Sequence, residues 1–211
     1  MATPERSAAG FLDTNAATNN TGSAGEAAGS RWVSKATLSD ARRGVSTVEF
    51  APRHLGLRLA SGSADGVVRI YEALDTMSLN HWKLEAEISN DDGSQRMGAP
   101  ENTSSENMGV SSLSWCTGRF EPATLAVGMS SGRVSIYRYD DGQRSWLEAL
   151  RLPGHATSSG VPRGVLHVSF APNVGRSFHL IATCGKDNQL KVHRVKRTFD
   201  RDDGGNSSPL V

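Results

Sequence analysis

Val45-Ser-Thr-Val-Glu-Phe50-Ala-Pro52, then Arg58-Leu-Ala-Ser-Gly62, the turn Ser63-Ala-Asp65-Gly66, and Val67-Val-Arg-Ile-Tyr71 form one nearly unbroken stretch whose reading decides the fold. The three flanking runs are short, rich in β-branched residues and punctuated by turn residues, which is the pattern of strands. Asp and Gly between the second and third runs supply the positive-φ geometry of a tight hairpin. The same grammar returns twice. The second unit runs Val110-Ser-Ser-Leu-Ser-Trp115, Thr124-Leu-Ala-Val-Gly128, the turn Ser130-Ser-Gly132, and Arg133-Val-Ser-Ile-Tyr137. The third runs Val165-Leu-His-Val-Ser-Phe170, His179-Leu-Ile-Ala-Thr183, the turn Gly185-Lys-Asp187-Asn188, and Gln189-Leu-Lys-Val-His193.

Two units continue into a fourth alternating run, Trp82–Ile88 and Trp146–Leu152, and Trp32–Leu38 alternates in the same way. Four strands per unit, repeated, is the signature of a β-propeller, in which no blade buries both faces alone and each packs on the next. The expected fold is therefore all-β: an incomplete WD-type propeller of three four-stranded blades, spanning roughly residues 45–88, 110–152 and 165–195, plus one strand of a preceding blade. Phe50 to Trp115 is 65 residues and Trp115 to Phe170 is 55, more than the ~40–45 of a WD repeat. The excess falls in two polar stretches, Ser89–Met108 and Gly154–Gly164. The Trp-Asp dipeptide of WD repeats is replaced by Ile70-Tyr71, Ile136-Tyr137 and Val192-His193.

Residues 1–30 are Ala, Gly, Ser, Thr or Asn at 22 positions, too little apolar area to offset ordering entropy, so the segment is expected to be disordered. The polar, Gly-rich tail 198–211 is expected to be disordered as well. Of the 211 residues, 23 are Lys or Arg and 22 Asp or Glu, for a net charge of +1. That balance excludes a general nucleic-acid binder or a polybasic membrane anchor. No apolar run approaches the ~20 residues of a membrane span, and no signal-peptide pattern opens the chain. Two cysteines, Cys116 and Cys184, are too few for a disulfide scaffold or a structural zinc site.

Several groups invite a chemical reading. Gly128-Met-Ser130-Ser-Gly132 matches the nucleophile-elbow spacing, which requires a strand before the serine and a helix after it. Here a strand pattern follows, so a hairpin is expected and a serine hydrolase at Ser130 is the lesser alternative. The six histidines, His54, His81, His155, His167, His179 and His193, show no paired metal spacing. Asp65, Gly66, Gly132 and Asp187 are read as structural hairpin residues; no catalytic, cofactor or metal site is expected, and partner-contact residues are not assignable.

The blocks Val48–Ala60 and Ser63–Asp75, with Met77-Ser-Leu-Asn-His-Trp82, Phe170–His179, Ile181-Ala-Thr183 and Lys186-Asp187, resemble the Seh-type WD-repeat nucleoporins, relatives of the WD-repeat subunit of the COPII outer coat. The resemblance runs from about Arg31 to Arg197, and Trp32–Arg43 is similar to the outer strand of a preceding blade. It implies an open six-bladed propeller completed by a helical scaffold nucleoporin. The assembly is the Y-shaped outer ring of the nuclear pore, supporting mRNA and protein transport at the nuclear envelope. It also implies membership of a vacuolar coat-like complex that acts on TOR signalling. These units are similar to the family's middle three blades. A COPII-like vesicle-coat propeller is the alternative. The resemblance implies no enzyme activity, no cofactor, no direct nucleic-acid contact and no membrane insertion.

Overall fold

The computed structural model describes residues 33–89, 109–173 and 175–196. The segments 1–30 and 198–211, expected to be disordered, and most of the 89–108 loop lie outside the described residues. Within them the chain forms eleven strands and one 3₁₀ turn at Arg53–Leu55. No helix among the described residues is long and apolar enough to cross a membrane.

The first sheet is an antiparallel meander of β1 (Val45–Phe50), β2 (Arg58–Ser63), β3 (Val67–Ala73) and β4 (Trp82–Ser89). The second repeats it with β5 (Val110–Trp115), β6 (Thr124–Met129), β7 (Val134–Asp140) and β8 (Ser145–Leu152). The third has β9 (Val165–Phe170), β10 (Phe178–Gly185) and β11 (Leu190–Lys196). Repetition extends to the irregularities. The register of β1 on β2 shifts between Val45 and Thr47, and that of β5 on β6 between Val110 and Ser112. The β3–β4 and β7–β8 ladders shift at Ile70/Tyr71 and Ile136/Tyr137. Bulges at matching positions bend each sheet alike, so successive sheets can stack in the same relation.

All-β, incomplete propeller architecture is thus what the chain adopts, with two differences from the expected strand count. The third sheet has three strands among the described residues, because nothing after Lys196 in the described chain pairs with β11. Residues 33–40 are not a strand. A strand requires a partner for its backbone groups, and among the described residues no strand of a preceding blade supplies one. Instead the end of this segment is tied to the first sheet by the hydrogen bond between the Tyr71 hydroxyl and the Asp40 carboxylate, and just beyond it the Arg42 N–H donates to Asp65 Oδ2 at 3.1 Å.

The core consists of two layers between the sheets. Ala60, Val68, Ile70 and Ile88 of the first sheet meet Val110, Leu113, Trp115, Leu125 and Val127 of the second. Ala126, Val134, Ile136 and Leu152 on the opposite face of the second sheet meet Val165, Val168, Phe170 and Ile181 of the third. The middle sheet is buried on both faces, which is why β6 reads as a nearly continuous apolar run rather than as alternation. Trp115 is anchored as well as packed: its indole Nε1–H donates to Glu49 O at 3.2 Å, and its backbone N–H to Glu49 Oε2 at 3.1 Å.

Candidate functional site

Two structural features stand out on this scaffold: a set of polar networks that lock each hairpin, and a sheet face left bare by the described residues.

The first hairpin is centred on Asp65, with Gly66 at φ 81°. The Asp65 carboxylate accepts from the Val67 N–H at 3.0 Å and from the Ser63 hydroxyl, and pairs with Arg69 Nη1 at 3.0 Å. Arg69, itself buried, reaches Glu87 Oε1 on β4 at 2.8 Å. Burial alone would raise the Asp65 pKa, but the donors from Ser63, Val67, Arg42 and Arg69 outweigh it and bring it down to about 2. Tyr71, the second residue of the Ile70-Tyr71 pair, has its hydroxyl pushed up to about 12 by burial and by the Asp40 carboxylate.

The second hairpin lacks the acid, with Ser131 in its place, and is braced from the outer strand instead. Glu148 on β8 accepts from the Ser135 hydroxyl at 2.7 Å and pairs with Arg133 at 3.5 Å and Arg151 at 3.1 Å. Gly132 has φ 91°, and a side chain there would meet Arg163 O at 2.5 Å and His155 O at 2.6 Å. Its carbonyl accepts from the His155 N–H at 2.9 Å. The turn is therefore tucked under the 154–164 connection. Ser130 sits in this turn between two antiparallel strands, without the following helix that a nucleophile elbow requires.

The third network is the one that sequence reading missed. His155 is buried in the connection before β9. Its Nδ1 lies 2.7 Å from Asp187 Oδ1 and its Nε2 2.9 Å from Thr183 Oγ1, and His193 Nε2 lies 3.3 Å from the same hydroxyl. Lys191 Nζ closes the group, donating to Gly154 O at 2.7 Å. Burial acts to raise the Asp187 pKa, but the bonds from His155 and the Gln189 N–H, with the nearby Lys191 charge, hold it below the usual carboxylate value. Acid, imidazole and hydroxyl in series resemble a catalytic triad. Yet Thr183 and His155 are each 1% exposed, so no substrate reaches the hydroxyl, and the series ties connection, second strand and third strand into one unit. The signal is Gly154-His155, the Gly-His half of the WD-repeat signature, set in a stretch whose composition reads as a polar loop. Of the other histidines, His167 Nδ1 pairs with the Ser112 hydroxyl at 3.0 Å across sheets two and three, while His54 and His81 are exposed.

The uncovered face follows from register. Ile70 pairs with Ala60, Ile136 with Ala126, and Val192 with Ala182; one step on, Val68, Val134 and Leu190 are equivalent. In the first two sheets these residues are sealed by the next sheet: Val68, Ile70 and Val134 are 0% exposed and Ile136 5%. In the third, Leu190 is 72% exposed and Val192 61%. Leu166 is bare beside them, as are Val48 and Phe50 at the opposite end of the stack. Contiguous apolar surface of this kind marks an interaction site or an aggregation liability. The glycines that allow close stacking in the first two sheets are also specific. A side chain at Gly62 would meet Val110 Cγ1 at 2.4 Å, and one at Gly128 would meet Val165 Cγ1 at 2.7 Å. The equivalent residue in the third sheet, opposite Leu190, is Cys184.

Repeated meander sheets, stacked face to face, with hairpins locked by polar networks, define blades of a WD-type propeller. No family model matches the chain. Curated relatives do. The chain is 37% identical over 184 residues to nucleoporin SEH1-A of Xenopus laevis and to nucleoporin SEH1 of Homo sapiens, covering 83% of the chain and 45% of each relative. It is 39% identical over 169 residues to nucleoporin SEH1 of Danio rerio, covering 76% of the chain and 40% of that relative. Over this region the chain belongs with the Seh1-type nucleoporins. It spans about half the length of the curated relatives it matches.

Proposed function

We propose that the chain contributes propeller blades to a Seh1-type subunit of the nuclear pore complex, with a structural and non-enzymatic role. The observation that carries this reading is the match to relatives named nucleoporin SEH1 along most of the chain. The uncovered apolar faces support it, because a subunit of an assembly presents such surfaces to neighbours. In this reading the partners are outer-ring nucleoporins of the Y-shaped complex, among them a helical scaffold nucleoporin that completes the open propeller. The protein resides at the nuclear envelope and supports mRNA and protein transport. Open strand edges would take up partner strands through main-chain hydrogen bonds. A share of the protein in a vacuolar coat-like complex acting on TOR signalling belongs to the same proposal, as do the absence of direct nucleic-acid contact and of membrane insertion.

Imaging of the fluorescently tagged chain in its own cells tests the proposal. A continuous nuclear rim, with or without a vacuolar-membrane signal, is the expected result. Puncta coincident with vesicle-coat markers and no rim would instead favour the COPII-like alternative and overturn it.

A further inference from the structure

We propose that Cys116, Glu121 and His179 form a zinc site that clips the second sheet to the third. Cys116 follows β5 directly and its backbone is held by an N–H bond to Thr124 O at 2.9 Å. Glu121 lies in the loop that follows and folds its carboxylate back over Gly118, where an added side chain would come within 2.9 Å of Cδ. His179 is the second residue of β10, and its ring packs edge-on against Phe170 at 5.8 Å. Two of the three donors thus come from neighbouring sheets, and the third from the loop between β5 and β6.

Their spacing suits a tetrahedral ion. Cys116 Sγ is 3.8 Å from Glu121 Oε2 and 3.8 Å from His179 Nδ1, and His179 Nε2 is 2.6 Å from Glu121 Oε2. One donor atom from each residue lies within 4.8 Å of the others. With Zn–S near 2.3 Å and Zn–N or Zn–O of about 2.0–2.2 Å, ligand pairs around zinc stand about 3.3–3.7 Å apart. An ion takes one ring nitrogen: bound through Nε2, the imidazole–carboxylate contact needs to open from 2.6 Å by less than about 1 Å, and the sulfur, within 4.8 Å of its co-ligands, needs to close in by a similar amount. A thiolate and a carboxylate balance a divalent charge, and the soft sulfur selects zinc over magnesium or calcium. The fourth position is left to water, as in open zinc sites. On binding, the thiol proton passes to solvent and the imidazole proton resides on Nδ1, so that a neutral ring takes the ion through Nε2. The same groups in series could instead serve a nucleophilic thiol, but Cys116 is packed in the core with Ala126, Ile136 and Phe170. An ion needs only the Glu121 loop to move.

The test uses the full chain, freed of metal by chelation and titrated with zinc and, separately, with cobalt(II). One equivalent of either ion should bind, cobalt(II) giving a near-ultraviolet thiolate-to-metal charge-transfer band. Cys116→Ser should abolish the band, and Glu121→Gln should weaken binding by at least about 10-fold, a loss that even outer-shell changes reach. Zinc should also slow alkylation of Cys116 while leaving Cys184 unchanged, a readout on the unmodified chain that no folding defect can mimic. Three results would each overturn the proposal: no bound equivalent, binding without a thiolate band, or a band that survives Cys116→Ser and is lost in Cys184→Ser.

Discussion

Truncating one register position in all three sheets separates a covered face from a bare one. Ile70, Ile136 and Val192 are equivalent by their pairing with Ala60, Ala126 and Ala182. Ile→Ala removes three carbons, about 2.4 kcal/mol of transfer free energy at about 0.8 kcal/mol each. The cavity left between two packed sheets brings the total into the range of about 2–5 kcal/mol. Val→Ala removes two carbons, about 1.6 kcal/mol if fully buried. Val192 is 61% exposed, so only about 0.6 kcal/mol of that is lost, and no cavity forms. Ile70→Ala and Ile136→Ala should therefore each destabilise the chain several times more than Val192→Ala. Pulse proteolysis across a urea series, run at low concentration to suppress association, gives the three values. If Val192→Ala cost as much as Ile136→Ala, something would be sealing the third sheet, and the account of a bare face would be wrong.

The remaining predictions concern pH, the buried histidine, the serine turn and the isolated chain. Burial raises the Glu49 pKa from 4.5 to about 7, despite the bond from the Trp115 N–H. Its folded value lies above its unfolded one, so the stability tied to the neutral form is complete below about pH 4.5 and is lost as pH rises through 7. The full shift corresponds to about 3 kcal/mol, which partial solvent access reduces to about 1–2 kcal/mol. Glu49→Gln should accordingly stabilise the chain at pH 8 and change nothing at pH 4, checked by unfolding midpoints at both; equal effects at the two would refute it. Asp65 works in the opposite direction: its pKa is lowered, so its contribution is present above pH 3.8 and falls away toward pH 2. His155→Ala should lower the thermal midpoint well beyond exposed His54→Ala, because it strands Thr183 and Asp187; matching midpoints would contradict the network's role. Ser130→Ala should leave stability and every esterase assay unchanged, and loss of an ester-cleaving activity would revive the hydrolase reading. At concentrations above those of the unfolding series the isolated chain should aggregate, since two apolar sheet faces stand open among the described residues; a monomer that stays soluble as its concentration rises would refute this.

The strand grammar was legible because it is local. Alternation, β-branched runs and Asp/Gly turns mark each strand wherever the rest of the chain lies, and β1 to β8 fall where those signals put them. What failed depended on neighbours. Trp32–Leu38 alternates like an outer strand, but alternation reports a two-sided environment, and residues 33–40 pair with no strand among the described residues. The third sheet is similar: β11 pairs with β10, and no other described strand takes its outer edge. At the hairpins the positive φ falls on Gly66, Gly132 and Asn188, while Asp65 and Asp187 sit beside them and accept the backbone N–H groups of Val67 and Gln189. Their partners were not readable, since Arg42 reaches Asp65 and His155 reaches Asp187 across 23 and 32 residues of chain. The Cys116–Glu121–His179 group was hidden for the same reason: Cys116 and His179 are 63 residues apart and meet only because the second and third sheets stack.

Quantitative affinity purification of the tagged chain from its own cells tests the central claim most directly: that these blades act in a pore assembly through the face bearing Leu190 and Val192. Wild-type chain should recover outer-ring nucleoporins as its most enriched partners, and Leu190→Lys with Val192→Glu should lose them while the chain itself stays folded. Recovery of vesicle-coat subunits in their place, or of pore subunits undiminished by the double substitution, would contradict the account.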